Sequence, residues 1–213
     1  MTRGTFIAFE GGEGMGKSTQ ARLLCDTLKQ RGIEVVATRE PGGTPGSEAI
    51  RELLLHPPGE GWGPQAEALL FAAARADHVQ RLILPALEQG KWVVCDRFLD
   101  SSRAYQGAAG TLGDEAVRRL HEIGSGNLLP DMTIVIGADS AEVSRRLRAR
   151  DGDVSDAIGG RDQHYHASVN SAFDTFVEAE PQRFLRVEGD GTVEEVHARL
   201  LEALGPFLAA SER

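Results

Sequence analysis

Residues Gly11–Ser18 read GGEGMGKS, a fit to G-x-x-x-x-G-K-[ST]. The run follows a short apolar stretch, Thr5–Glu10 (TFIAFE), and opens a helical pattern. That is the strand–loop–helix setting the motif requires. Its glycines let successive backbone N–H groups turn inward on phosphate oxygens. The helix N-terminus adds the positive end of its dipole. The expected phosphate cradle is Gly11, Gly12, Glu13, Gly14, Met15, Gly16, Lys17, Ser18 and Thr19. Lys17 is expected at the β- and γ-phosphates of a nucleoside triphosphate, and Ser18 on its Mg²⁺. A second chemical pair closes the run WVVCDR: Asp96 and Arg97 stand at the carboxyl end of an apolar strand. Asp96 is suited to Mg²⁺ or its waters, and Arg97 to two parallel hydrogen bonds with a phosphate. Asp139, after MTIVIGA, is a rival carboxylate, although Asp131 and Asp139 are expected simply to bound a strand.

These groups must be held by regular elements. Apolar runs at Thr5–Glu10, Ile33–Arg39, Trp92–Asp96, Met132–Gly137 and Phe184–Val187 read as strands. Helical patterns run from about Lys17 to Arg31 and over Ser47–Leu55, Gln65–Gln89, Gly113–Ser125, Ala141–Arg150, His166–Ala179 and Val193–Ala209. Pro85 is expected to bend the last turn of Gln65–Gln89. Asp151–His164 is polar and glycine-rich, without a period. The alternation predicts an α/β fold: a five-stranded parallel sheet with helices on both faces, of the P-loop NTPase type. Ligands in such sheets sit outside the carboxyl ends of the strands, where these motifs fall.

Composition bounds the rest. The chain of 213 residues is read as one domain, 1–213. With 41% hydrophobic residues it is an ordinary globular composition. A net charge of −9, from 23 basic and 32 acidic residues, speaks against a nucleic-acid partner. Apolar runs such as Met132–Ala138 fall far short of the roughly 18–20 residues of a membrane span, so no membrane partner is expected. Met1–Glu10 does not have the pattern of a signal peptide. Cys25 and Cys95 form no CxxC and no metal spacing, and are expected as buried free thiols of a reduced, cytoplasmic protein. No Asn-Lys pair occurs, so the guanine-reading N-K-x-D of a GTPase is missing. Several separate arginines suit phosphoryl transfer to a small acceptor.

Further motifs carry a resemblance. FEGGEGMGKST (Phe9–Thr19), TREPGGT (from Thr38 to Thr44), IRELLL (Ile50–Leu55), LLFAAAR (Leu69–Arg75), DRFLDSSRAYQG (Asp96–Gly107) and PDMTIVIGAD (Pro130–Asp139) occur in this order. Together they resemble bacterial thymidylate kinases, over essentially the whole chain. The resemblance implies transfer of the ATP γ-phosphoryl group to dTMP, giving dTDP and ADP, with Mg²⁺ and commonly as a homodimer. It implies that Glu13 approaches the sugar 3′-hydroxyl and Glu40 supports the same pocket. Arg51 and Arg97 would hold the dTMP phosphate. Phe71 would stack on thymine and Arg75, one helical turn on, would bond the base edge. Ser101, Ser102, Tyr105 and Gln106 would line thymine and deoxyribose, with Tyr105 packed where a ribose 2′-hydroxyl would go. Asp151–His164 corresponds to a mobile lid that excludes water.

The P-loop has no arginine, so the resemblance assigns the catalytic arginine to the lid. Arg146, Arg148 and Arg150 lead into it and Arg161 lies within it. Arg150 is taken as catalytic with Lys17 and Arg97, and Arg146 as the adenine-side arginine. Two features depart from the family: Asp156-Ala157 stands where many relatives carry Asp-Arg, and Met15 replaces a smaller residue common in the P-loop, the sequence leaving open whether it crowds the substrate side. His164 and His166 make a poor metal pair; Tyr165 and His166 are expected to face the nucleotide or the lid. A kinase for another monophosphate or a small alcohol, and a non-catalytic nucleotide-binding protein with a degenerate lid, remain alternatives.

Overall fold

The computed structural model describes residues 3–138, 145 and 159–211. Five parallel strands form one sheet: β1 (Phe6–Glu10), β2 (Val35–Arg39), β3 (Trp92–Asp96), β4 (Met132–Gly137) and β5 (Phe184–Glu188), in the order β2-β3-β1-β4-β5. The central strand is apolar on both faces, as a sheet covered on both sides demands. Successive side chains alternate between faces. Ile7 and Phe9 pack with Leu24, Cys25 and Leu28 of α1 (Lys17–Gln30) and with Leu200 and Leu204 of the C-terminal helix Val193–Ser211. Phe6 and Ala8 pack on the other face with Val79, Ile83, Leu87 and Phe98. Each large side chain so buried contributes about 1.5–3 kcal/mol. Both cysteines are buried and free, as the sequence predicts. Among the described residues no helix is long and apolar enough to cross a membrane.

Register does the positioning. Phe9 pairs with Asp96, Arg39 with Asp96, and Glu10 with Val135. The carboxyl ends of β1, β2 and β3 therefore lie side by side. Glu10, Glu40 and the Asp96–Arg97 pair are brought to one rim from three distant stretches of sequence. The rim is stitched by Glu40 N–H to the Asp96 carbonyl and Arg97 N–H to the Phe9 carbonyl, each 2.9 Å.

The predicted strands are found within two residues, and four differences among the helices have clear causes. α2 (Pro45–Leu55) starts two residues early because Thr44 caps it, accepting from Ser47 N–H, with Pro45 at the first turn. α3 (Pro64–His78) passes through a π-helical turn, Val79–Ile83, into α4 (Leu84–Glu88). The distortion thus precedes Pro85 instead of bending the last turn. Pro85 offers no N–H and crowds the carbonyl four residues back, and the wider turn accommodates this with Leu84 N–H on the Val79 carbonyl. α5 (Leu99–Ser102), continued by π-helical Arg103–Ala109, was not expected, because LDSSRAYQGAAG carries no apolar stripe of helical period. α6 spans Asp114–Ser125. α7 (Gln163–Ala179) begins three residues before the predicted start, capped by Asp162 on Tyr165 N–H. The predicted helix Ala141–Arg150 lies outside the described residues, Arg145 excepted.

Candidate active site

The cradle begins where β1 ends. Gly11 sits at φ +130°, and a Cβ there would lie 2.4 Å from the Ile136 carbonyl oxygen. Gly16, at φ +89°, caps α1 in the left-handed conformation. Only glycine takes such turns freely. The backbone then feeds Lys17 into the rim, where its ammonium donates to the Gly12 carbonyl at 2.5 Å. Burial and the Arg97 charge push Lys17 down to about 7, against the pull of Asp96, Glu13 and Glu10. Ser18 donates its hydroxyl to Asp96 Oδ2. The other oxygen, Asp96 Oδ1, is buried without a hydrogen-bond partner. A serine hydroxyl touching a carboxylate with an unused oxygen is a hard-oxygen set suited to Mg²⁺, which takes few protein ligands beside phosphates and water. Met15 does not crowd the substrate side. It is 5% exposed and packs in the α1-side core. Its unbranched side chain fills the space under the loop.

Arg97 holds φ +69°, an uncommon conformation for a side-chain-bearing residue. Such strain recurs at functional sites. The turn aims its guanidinium back over the cradle: Nη1 donates to the Gly11 carbonyl at 3.2 Å and Ser101 Oγ at 3.1 Å, and Nη2 lies 3.8 Å from Glu13. Burial opposes its charge, but Tyr105, Asp96, Glu13 and Glu10 outweigh that and raise it further.

Next to Arg97 opens a cavity of about 560 Å³, solvent at its mouth included. Glu13, Glu40, Arg51, Phe71, Arg75, Arg97, Ser101, Ser102, Tyr105 and Gln106 all line it. Every acceptor-side residue predicted from sequence is thus brought to one space, within the range of ligand pockets. Phe71 is half-buried on the wall and belongs to none of the three buried apolar clusters. Arg75 is 3% exposed and tied down: Nε donates to Glu40 at 2.7 Å, and Nη2 to the Phe98 carbonyl and Ser102 Oγ, both at 2.9 Å. Arg51 donates to the Pro41 carbonyl at 2.8 Å. Tyr105 is 4% exposed, and its hydroxyl is buried without a hydrogen-bond partner.

Several residues of this site were not singled out beforehand. Glu10 accepts from Phe98 N–H (2.8 Å), Ser101 N–H (3.0 Å) and Ser101 Oγ (2.5 Å), anchoring the start of α5. His78 bonds Glu40 at 3.0 Å and Thr38 at 2.7 Å. Glu67 binds Gln106 and Arg161. Pro41, Leu55 and Phe98 complete the cavity wall. A signal existed for two of them: Glu67, Phe71, Arg75 and His78 recur at helical spacing on one face of α3.

Comparison with known proteins decides the family. The thymidylate kinase family model matches residues 9–200. The chain belongs to the thymidylate kinase family. It is therefore a nucleoside monophosphate kinase, and dTMP is its phosphoryl acceptor. The thymidylate kinase of Rhizorhabdus wittichii is 52% identical over 205 residues, covering 96% of this chain and 99% of that protein. That of Symbiobacterium thermophilum is 47% identical, covering 94% of each. The crystal structure of the thymidylate kinase from Ehrlichia chaffeensis is 31% identical with a TM-score of 0.76, covering 95% of this chain and 99% of that one.

Of the arginines that the family resemblance assigns to the lid, Arg146, Arg148 and Arg150 lie outside the described residues, as do Asp139, Asp156 and Ala157. Arg161 is described. It pairs with Glu67 and the Tyr165 hydroxyl, on the acceptor side of the cleft. Tyr165 in turn donates to the Tyr105 carbonyl at 2.6 Å. His164 is exposed, and His166 faces the Gly159 carbonyl at 3.3 Å.

Proposed function

We propose that this thymidylate kinase family member transfers the γ-phosphoryl group of ATP to dTMP by positioning and charge neutralisation, with the following division of labour. The P-loop, Gly11–Thr19, holds the triphosphate through inward N–H groups and Lys17. Ser18 and Asp96 would hold Mg²⁺, which neutralises phosphate charge when bound. The acceptor is already a phosphate, so no strong general base is needed. Arg97 and Arg51 hold the dTMP phosphate, and Arg97, reaching the P-loop carbonyl of Gly11, spans donor and acceptor sides. Holding two anions in line is itself worth much of the barrier.

Phe71 stacks on the base, Arg75 bonds its edge, and Ser101, Ser102 and Gln106 line the remainder. Glu13 approaches the 3′-hydroxyl. Glu40, with both oxygens engaged by Arg75 and His78, supports the pocket by fixing Arg75. The buried Tyr105 ring excludes a 2′-hydroxyl. Arg150 as catalytic lid arginine and Arg146 beside adenine rest on the resemblance alone, as does a lid at about 151–164. The reading also includes a cytoplasmic homodimer. Exposed Leu53, Leu69 and Ile123, on the neighbouring helices α2, α3 and α6, support it, and sedimentation equilibrium tests it.

The observation that carries the reading is the cavity lined by Phe71, Arg75, Tyr105 and Arg97 together with the P-loop residue Glu13, with Arg97 also bonded to the P-loop carbonyl of Gly11. The test is ADP release from ATP–Mg²⁺ with dTMP, dUMP, UMP, CMP, AMP, GMP or shikimate as acceptor. Release that depends on dTMP and is weak with UMP is expected. ATP binding without acceptor-dependent release would mark a binding protein instead.

A further inference from the structure

Gln106 lies between the cavity and α3, and its amide nitrogen donates to Glu67 Oε1 at 2.8 Å. Glu67 stands one helical turn before Phe71 and two before Arg75, so the three share one face of α3. Its second oxygen is paired with the Arg161 guanidinium. Glu67 is largely buried, 9% exposed, at a position with no contact to the P-loop in this network. A carboxylate accepts hydrogen bonds and does not donate them. An amide, by contrast, can present either end, because its oxygen and nitrogen exchange on a half-turn. Glu67 removes that freedom. It takes one of the two amide N–H groups and so fixes which end of the amide is which, leaving the Gln106 carbonyl as the acceptor offered to a ligand.

Arg75 is constrained in the complementary sense. Its guanidinium only donates, and Glu40, Phe98 and Ser102 engage Nε and Nη2. What it has left for a ligand is a donor, Nη1. Arg75 and Gln106 together thus offer one fixed donor and one fixed acceptor on the cavity wall. Thymine and uracil carry an accepting O4 beside a donating N3–H, while cytosine carries a donating N4 amino group beside an accepting N3. The wall matches the first pattern and opposes the second. We propose that Glu67 is a positioning residue that sets base specificity, holding the Gln106 carbonyl for the N3–H of a thymine-type base and so disfavouring cytosine. The inference rests on the dTMP kinase reading and names a determinant within it.

Two variants and one modified nucleotide test it. Glu67→Gln keeps the size but accepts either orientation of the Gln106 amide. In it, KM for dTMP rises about tenfold, kcat changes by less than about threefold, and the preference in kcat/KM for dTMP over dCMP shrinks by at least about tenfold. KM for ATP stays near the parent value, and dUMP follows dTMP. Arg161→Met removes the other partner of Glu67 and leaves the dTMP-over-dCMP ratio intact, whatever it does to the rate. An unchanged ratio in Glu67→Gln, or an equal loss of ratio in Arg161→Met, overturns the proposal. Should Glu67→Gln fail to fold, the unmodified protein decides by equilibrium binding. N3-methyl-dTMP, which lacks the donor, binds about tenfold or more weakly than dTMP; equal binding overturns the proposal. If the unmodified protein binds dTMP in preference to dCMP but releases no ADP, the kinase reading fails and the specificity assignment stands.

Discussion

The two sides of the cleft treat buried charge differently. On the acceptor side, Glu40 is buried beside β2, yet both its oxygens are bonded, one to Arg75 and one to His78. Burial alone would raise its carboxyl; the Arg75 guanidinium, helped by His78, outweighs this and holds it below the usual range. On the phosphate side, Glu10 is as fully buried at the end of β1, but its three bonds come from neutral donors. Burial and the nearby Asp100 push it up to about 7, and Ser101, Arg97 and Phe98 recover only part. Lys17 is pushed down to about 7 in the same region, and Asp96 Oδ1 has no partner. The acceptor side compensates its own charges within the protein. The phosphate side does not, and its positive groups and P-loop amides complement a polyanion. The comparison separates a preorganised specificity wall from an electrostatic cradle.

The contrast can be broken at several points. The largest effect is expected at the cradle: Lys17→Ala lowers kcat/KM for phosphoryl transfer by about a thousandfold or more, since the main charge on the transferring group is lost. Steady-state kinetics checks this, and near-normal turnover would remove the P-loop from the chemistry.

On the other side, Glu40→Gln leaves the Arg75 charge buried without its counter-ion and destabilises the fold by about 3–5 kcal/mol. Chemical denaturation measures that loss, with KM for dTMP rising more than KM for ATP. A loss under about 1 kcal/mol would show that the acceptor side does not depend on this pair.

The two carboxylates should also respond oppositely to pH. Between pH 4.5 and about 7 the folded protein holds a proton on Glu10 that the unfolded chain has released. This contribution therefore falls as pH rises through that window, by up to about 3 kcal/mol. Glu40, with its lowered value, contributes stability that is present above its ordinary 4.5 and is lost as pH falls below it. Stability of Glu10→Gln relative to the parent should accordingly rise from pH 5 to pH 7.5 in paired thermal melts. A flat difference would show that Glu10 is compensated after all.

The smallest effect is expected at Tyr105. Its hydroxyl has no hydrogen-bond partner, so Tyr105→Phe changes stability by no more than about 0.5 kcal/mol. The ring proposed to exclude a ribose remains, and preference for dTMP over UMP is expected to be retained. A large loss on denaturation would reveal a bond to that hydroxyl.

Much of this protein was legible without coordinates. The strand Trp92–Asp96 and its terminal carboxylate were readable because apolar runs and turn chemistry are local. Lys17 and Ser18 followed from a motif whose function depends on consecutive residues. Phe71 and Arg75 came from the resemblance, and their four-residue spacing, about one helical turn, put them on one face. Tyr105 and Gln106 came from a resemblance, since their stretch folds as a π-helical segment that no periodicity announces. The direction of Met15 was not legible. A one-dimensional motif does not tell which way a side chain leaves the loop, and this one turns into the core.

By itself, then, the sequence determined the alternation of strands and helices, the composition of the cradle and the family. Tertiary structure alone decided the pairings. Glu40 meets Arg75 across 35 residues, Glu67 meets Gln106 across 39, and Glu10 meets Ser101 across 91. Local propensity carries no information on such distances. Parallel strand register and the stacking of α3 against α5 and its π-helical continuation bring these groups together, and burial then makes each pairing, or its lack, count in the charge each residue carries.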